Sequence, residues 1–492
     1  MESRALSREC IFYDMVHEIQ DTCIYNAFED ISKFTFFKEG HERSKCKASV
    51  FAEGDSRSTM LQQRYYTILQ QIFRDSKFID TARGKRGADF PVILFGGKTA
   101  IESEAPRSNT ASLVDIHDPK LAELCRFEIT PVESLPGSTG IKVVFGMLSR
   151  GTDGRLLIED IHQAVVVKLD SMNASDDFIT ENSFVLAKGQ MIDEVFHVAE
   201  ITLPPVPVRS LCEGSVNTEG GPGDVTEESL THLVGNPPSD ATMAVVSGIL
   251  LDDPLSLEKL NEMFTGFEEV DAIPSIYVLM GDFTSKKFNP YGGDSLRSFH
   301  KGFESLAQIL SKHPQTLESS KIVIVPGVTK DPGAGILPQP PFSDSLLRGI
   351  SSRFPNVVLA SNPCRVRFYN KSVVLFNGSV LSQLRKSRIV GSSGDQTDDL
   401  KFARCILSQQ HLTPGPARDR TVIWDHDFGL RLYPPPHAIF YSDPDLASYQ
   451  ETVTQETLFV APPQFSHPER HFEFHLYIPS SNETSLSSLS EE

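Results

Sequence analysis

Few side chains in this sequence are placed to do chemistry. Asp282 follows the apolar run Tyr277-Val278-Leu279-Met280, in the segment Gly281-Asp282-Phe283-Thr284-Ser285. A run without polar alternation reads as a strand buried on both faces, and the loop at the carboxyl end of such a strand is where a sheet presents ligands to a cation or a phosphate. Asp252 and Asp253 follow a similar run, Ala244 to Leu251. His467, His471 and His475 have the i, i+4, i+8 spacing of one helix face. Yet Arg470-His471-Phe472-Glu473-Phe474-His475-Leu476 alternates polar and aromatic residues, so it reads as a strand with His471, Glu473 and His475 on one solvated face. His426 stands between Asp425 and Asp427 without further support. Cys364 has Arg365 beside it, which would lower a thiol pKa, but no histidine lies near in sequence to act as a base. A buried structural thiol is expected there.

Hydrolysis of a phosphate ester by two metal ions needs ligands that bridge and cap both cations. The usual supply is Asp-x-His after the first strand, Gly-Asp-x-x-Asp after the second, Gly-Asn-His after the third and Gly-His-x-His near the end. Here Gly248 and Leu250 stand at the first pair of positions, with Asp252 and Asp253 displaced by several residues. Asp282 survives in the second motif, where Ser285 replaces the other carboxylate. The third reads Gly327-Val328-Thr329, and the last falls near Tyr441-Ser442-Asp443-Pro444, leaving Asp443 and no histidine. One ligand cannot hold two metals. The expectation is a degenerate site with no catalytic residue, metal or cofactor, and Asp282 kept as a turn or capping residue.

The elements that carry these positions belong to a chain of 492 residues, long enough for about three domains. Its hydrophobic content of 39% and charged content of 23% suit a globular protein with sizeable cores. A net charge of −19 repels phosphate backbones and argues against a general nucleic-acid binder. The 7 cysteines are scattered without a C-x-x-C pair, which fits reduced thiols in a cytosolic or nuclear compartment. No apolar signal core or membrane-length segment occurs, so a soluble intracellular protein is expected.

In order, residues 1–57 read as an N-terminal arm with aromatics at Phe34, Phe36 and Phe37. Residues 58–125 hold a helix and a linker; Leu61, Tyr65, Ile68, Leu69, Ile72 and Phe73 form an apolar stripe that would bind a partner or, by preference, its own chain. Residues 126–204 carry five or six short strand signals with a hairpin turn at Asp153-Gly154, the pattern of an OB-type barrel. Its central hairpin, Arg155 to Asp170, has no aromatic and is slightly acidic, so a protein-docking module is expected rather than a single-strand binder. Residues 205–241 read as a linker. From 242 to 479 strands alternate with helices: strand signals at 243–247, 276–280, 322–325 and 357–360, helical ones at 257–267, 295–310 and 343–353. A hairpin about Asn370-Lys371, a mobile insertion at 386–399, and strands at 438–441, 457–460 and 471–478 that complete a second sheet follow. Residues 480–492 are expected to be disordered. The fold class is α/β plus β, an OB-type barrel ahead of a two-sheet, layered, metallophosphoesterase-like (calcineurin-like, inactivated) domain.

With Val325-Pro326-Gly327, Asp331-Pro332-Gly333, Ile336-Leu337-Pro338-Gln339-Pro340-Pro341, Ser361-Asn362-Pro363-Cys364-Arg365 and Leu432-Tyr433-Pro434-Pro435-Pro436 added to the Asp282 segment, the chain resembles the B subunits of replicative DNA polymerases, the epsilon type before the delta type. The ordered set spans roughly residues 25 to 480. The resemblance implies a non-catalytic nuclear subunit that holds the C-terminal region of the polymerase catalytic subunit, meets other polymerase subunits and the replicative helicase, and reaches DNA only through the complex, with no membrane partner. The epsilon type tethers the helicase through a small N-terminal helical domain. Residues before Ser58 show no clear helical bundle, so that tether is in doubt here or supplied by another chain. An active metal-dependent nuclease of the same architecture is the alternative from another class.

Overall fold

The computed structural model describes residues 22–26, 54–74, 129–169, 177–209, 235–390, 397–416, 421–454, 456–467 and 472–489. Within the arm, Thr22–Asn26 forms strand β1; Phe34, Phe36 and Phe37 lie outside the described residues, as do the linker stretches 75–128 and 210–234. Helix α1 spans Ser56–Arg74. Its apolar stripe packs on its own chain: Ile68 and Ile72 are buried against Val143, Phe145, Phe184 and Leu186 of the barrel, and the Tyr65 ring lies 5.0 Å from that of Phe145. The centre of the stripe is therefore covered by the barrel, while Phe73 at its end stays exposed.

The barrel has five strands: β2 (Lys142–Arg150), β3 (Leu156–Glu159), β4 (Ala164–Lys168), β5 (Phe184–Ile192) and β6 (Val195–Thr202). They close in the order β2-β3-β4-β6-β5, with only β4 and β6 parallel among the pairs. At the bulge in β5, a Cβ on Gly189 would lie 2.1 Å from the His197 carbonyl oxygen, so only glycine lets the two strands close.

The α/β unit contains β7 (Met243–Ser247), helix α2 (Pro254–Glu269), β8 (Ile276–Met280), helix α3 (Gly293–Leu310), β9 (Lys321–Val325), β10 (Ile336–Leu337), β11 (Val357–Leu359), β12 (Cys364–Phe368), β13 (Lys371–Asn377), helix α4 (Leu381–Ser387) and helix α5 (Asp398–Ser408). It continues through β14 (Thr421–Val422), the 3-10 segment Trp424–Leu430, β15 (Ala438–Ser442), β16 (Tyr449–Thr454), β17 (Thr457–Ala461), β18 (Phe474–Ile478) and β19 (Glu483–Ser487). One six-stranded sheet runs β11-β9-β8-β7-β18-β19, the other β1-β12-β13-β15-β17-β16. The apolar runs divide their residues between two cores, as period-two geometry requires. Val245, Val278 and Val323 meet Val366, Leu375 and Phe440 between the sheets. Ala244, Tyr277 and Ile322 meet Phe264, Phe303 and Leu306 under α2 and α3. On its far side the second sheet shares a core with the barrel, where Phe376, Tyr441 and Phe459 join Val144, Leu148 and Val198 across Phe402 and Ile406 of α5.

Several expectations change. The strand read at 471–478 belongs to the first sheet, not the second: β18 lies antiparallel to β7, with His475 opposite Val245. Residues 483–487, expected to be disordered, form β19 paired to β18. Without this hairpin β7 would be a bare edge, and the polar composition of β19 suits a strand with one side in water. His475 is buried rather than solvated, because both faces of β18 are covered; burial pushes its imidazole down to about 4. His471 lies outside the described residues. In the 343–353 stretch only Ile350–Arg353 is helical, since Asp344 turns back to accept from the Ser351 N–H at 2.9 Å and Gly349 sits at φ 72°. Helices α4 and α5 occupy both ends of the 386–399 insertion, and 391–396 fall outside the described residues. No helix among the described residues is long and apolar enough to cross a membrane.

Candidate functional site

Parallel strands bring chain-distant residues to one end of a sheet. In the first sheet β7, β8 and β9 end side by side at Ser247, Met280 and Val325. In the second, β13 and β15 place Asn377 opposite Ser442. The two ends face each other: the Ser247 and Ser442 hydroxyls are 2.5 Å apart, and the Asn377 amide donates to the Gly281 carbonyl. Asp282, Gly327 and Asp443 lie in the loops that leave these strand ends. The ligand positions read from sequence are therefore brought to one place, except Leu250 and Ser285, which sit at its rim.

Each position is then occupied by the chain itself. Gly248 takes φ 67°, and a Cβ there would stand 2.1 Å from Gln464 Oε1. The Leu250 N–H donates to Ser466 Oγ at 2.8 Å. Asp282 Oδ1 accepts the backbone N–H groups of Thr329 at 3.2 Å and Lys330 at 3.0 Å, and Oδ2 accepts the Thr329 hydroxyl. It ties the loop after β8 to the loop after β9. Ser285 donates its hydroxyl at 2.6 Å to Asp252, which also accepts the Ser285 N–H. Asp253 caps α2 by accepting from Leu255 and Ser256. Asp443 Oδ2 accepts from Val380 at 2.6 Å and Leu381 at 3.1 Å, and Oδ1 from Asp445 at 3.0 Å. Burial raises the Asp443 carboxyl above its ordinary value. These carboxylates hold backbone, and among the described residues no three His, Cys, Asp or Glu side chains gather as a metal would need.

Four participants were not singled out from sequence. Asp331 accepts the Phe283 N–H at 2.8 Å through Oδ1 and the Gly327 N–H at 2.8 Å through Oδ2; burial, with Asp282 nearby, pushes its carboxyl up to about 7. The Asn362 side chain donates to the Asn377 carbonyl at 2.9 Å and accepts the Asn377 N–H at 3.0 Å. Gln464 fills the space over Gly248. The Asp331-Pro332-Gly333 and Asn362-Pro363 turns were visible as motifs, but fixed ligand spacing passes over residues that arrive from outside the expected positions. Gly281 and Gly327 belong to the motifs themselves: Cβ atoms there would lie 2.2 Å from Asp331 Oδ2 and 2.1 Å from Asp282 Oδ1, so the closeness of the loops depends on them.

The other chemistry-bearing groups resolve as structure. Cys364 is buried in the inter-sheet core. His426 is buried in the 3-10 segment, and burial lowers its imidazole pKa. Its neighbour Asp427 does more: it accepts from His411 Nε2 and from Arg431 Nε, both at 2.9 Å. Burial alone would raise this carboxyl, but His411, Arg431 and Arg64 outweigh it and hold it well below the usual range. Burial and the Arg64 charge push His411 down to about 4, so it stays neutral, with the Thr413 N–H donating to its Nδ1 at 3.1 Å. Arg431 also donates to Gln63 of α1 at 2.9 Å, and Gln410 to Gln71 at 2.6 Å. Beside this cluster the Gln409 amide bonds both backbone groups of Phe184 in β5 at 2.8 Å. The barrel, α1 and the second sheet are thereby joined through polar bonds as well as a shared apolar core.

Two family models match the chain. One, that of the B subunit of DNA polymerases alpha and epsilon, matches residues 243–451; the other, described as DNA polymerase epsilon subunit 2-like, OB-fold domain, matches residues 54–205. The chain is similar to the DNA polymerase epsilon B subunit of Arabidopsis thaliana, 33% identical over 379 residues that make up 75% of this chain and 71% of that one. It is similar to DNA polymerase epsilon subunit 2 of Mus musculus at 32% over 72% of this chain and 67% of the relative, and to that of Homo sapiens at 32% with the same coverage.

Proposed function

This chain belongs to the family of DNA polymerase epsilon second (B) subunits, and from that premise we propose that it is a non-catalytic scaffold built on an inactivated, metallophosphoesterase-like domain. It holds the C-terminal region of the polymerase catalytic subunit in the nucleus, meets the other polymerase subunits and the replicative helicase through that assembly, and reaches DNA through the complex. The observation that carries this reading is the use of the carboxylates that stand at the strand ends. Asp282 and Asp443 accept from backbone N–H groups of neighbouring loops, in the positions where metal ligands would stand. A carboxylate already satisfied by two or three donors has little left to offer a cation, and glycine, leucine and serine at positions 248, 250 and 285 supply no replacement. The barrel fits a docking role, since it is fixed to the second sheet through a common core and its central hairpin lacks stacking aromatics.

Co-expression of the full chain with the C-terminal region of the catalytic subunit tests the proposal. The two are expected to co-purify, and Asp282→Ala is expected to keep the complex while lowering thermal stability modestly. A stable, monodisperse lone chain with no affinity for that region would sink the scaffold reading. So would manganese-dependent hydrolysis of single strands that disappears in Asp282→Ala.

A further inference from the structure

The loop that leaves β8 carries a local reversal of charge in an otherwise acidic molecule. Between Ser285 and Lys301 the sequence has Lys286, Lys287, Arg297 and Lys301 against the lone carboxylate of Asp294, while the whole chain carries −19. All four cations are exposed. Asp294 pairs with Arg297 at 3.2 Å, both side chains lying almost entirely in solvent, and Asp252 at the same rim is engaged by Ser285. Arg348 adds a fifth cation close enough to His300 of α3 to lower its pKa further after burial.

In the same segment, between Lys287 and Arg297, stands Tyr291, 98% exposed, the most exposed large apolar side chain among the described residues. It is held there by its backbone: Asn289 Oδ1 accepts the Tyr291 N–H at 3.0 Å, and the Asn289 carbonyl accepts from Gly292 at 3.1 Å. The loop has a fixed base, since the Phe288 N–H donates to the Lys330 carbonyl at 2.7 Å and the Phe288 ring packs at 6.1 Å on Phe299. An exposed aromatic ring on a segment that also carries exposed lysines and an arginine matches bases that stack and phosphates that pair with cations. Its place, at the carboxyl end of a parallel sheet, is where such folds take ligands. The net negative charge of the chain does not forbid this, because at physiological salt charges more than about 8 Å away are largely screened and the local cations decide the contact.

We propose that the Lys286–Lys301 rim is a direct contact for single-stranded nucleic acid, with Lys286, Lys287, Arg297 and Lys301 on phosphates and Tyr291 stacked on a base. This goes beyond the scaffold reading and does not depend on it. The test is fluorescence anisotropy of labelled oligothymidine with the full-length chain across a salt series. Binding is expected at low salt and should weaken as salt rises. Lys286→Glu with Lys287→Glu should reduce affinity about tenfold or more and flatten the salt slope by about 0.7 for each phosphate no longer neutralised. Tyr291→Ala should reduce affinity about fivefold or more while leaving the slope in place. Lys312→Glu, a single charge reversal just past the far end of α3, should change neither by more than a small fraction of those effects. Circular dichroism melts should coincide for all variants, since the altered side chains are exposed. The proposal fails if the unaltered chain does not bind at low salt, if the rim variants behave like Lys312→Glu, or if duplex DNA binds as tightly with Tyr291→Ala silent. It also fails if the charge reversals abolish binding of an acidic protein while oligothymidine binding persists.

Discussion

The sheet-end site and the barrel junction are both buried and polar, yet they are built on opposite plans. At the sheet ends, carboxylates accept from backbone: Asp282 from Thr329 and Lys330, Asp331 from Phe283 and Gly327. At the junction, side chain meets side chain across elements far apart in sequence: Asp427 with His411 and Arg431, Arg431 with Gln63. The first plan needs glycine, because loops must approach within hydrogen-bond distance of a carboxylate. The second needs long side chains and balanced charge, because guanidinium groups are buried along with their partner. The sheet ends are thus a site closed upon itself, whereas the junction ties α1 and the barrel to the loops beside the second sheet.

Breaking the junction should have the largest effect. Asp427→Ala removes the carboxylate that offsets the charges of Arg431 and the buried Arg64, and removing one partner of a buried charge cluster costs about 3–5 kcal/mol. Urea unfolding of the variant should show that loss; a change under about 1 kcal/mol would mean that water already compensates the cluster. At the sheet ends the expected weak point is steric. Gly327→Ala puts a methyl 2.1 Å from Asp282 Oδ1 and 2.7 Å from its Cα, so the loop must shift, at a cost of about 1–3 kcal/mol. If the alanine variant melts with the parent, the loops are not held as closely as the glycines imply.

Acid separates the two regions by sign. Asp331 has its folded pKa raised to about 7, above the usual unfolded value near 3.9. The folded state therefore binds that proton more readily, and the contribution is present at low pH and lost as pH rises through about 7. His411 is shifted the other way, down to about 4 from an unfolded value near 6.5. Its contribution is present above about 6.5 and lost as pH falls toward 4. Stability measured between pH 4 and 7 should accordingly lose its Asp331 component in Asp331→Asn and its His411 component in His411→Gln, with the two difference curves sloping in opposite directions. Parallel curves would show that one of the two groups is not titrating as its surroundings require.

Much of the framework was legible because it rests on short-range pattern. The apolar runs at 243–247 and 276–280 become β7 and β8 with those bounds, and the stripe on α1 marks its buried face. What escaped depended on residues distant in sequence. The polar segment at 483–487 becomes a strand only because β18 offers it an edge. His475 looks solvated until β18 is seen to be covered on both sides. Asp331 and Gln464 lie in the loops that leave β9 and β17, at positions the ligand spacing does not include, and Asp427 was overshadowed by the more conspicuous His426 between two aspartates. That positions 248, 250 and 285 carry no ligating side chain could be read directly, but what packs around them could not.

The smallest expected effect bears on whether a carboxylate added at one of these positions can make a cation site. Ser285→Asp restores a carboxylate at the second-motif position, but its side chain is exposed and would meet Asp252, which now accepts both the Ser285 hydroxyl and N–H. Two adjacent carboxylates at a solvated rim repel, so a loss of about 0.5 kcal/mol or less is expected. Asp282 would remain bound to Thr329 and Lys330, and Gly248 would still lie under Gln464. Isothermal titration with manganese should therefore show no stoichiometric binding to the variant. Tight binding would mean that the Asp282 bonds open easily for a cation, and that the closed character of the sheet ends is a preference of the metal-free site rather than a consequence of its residues.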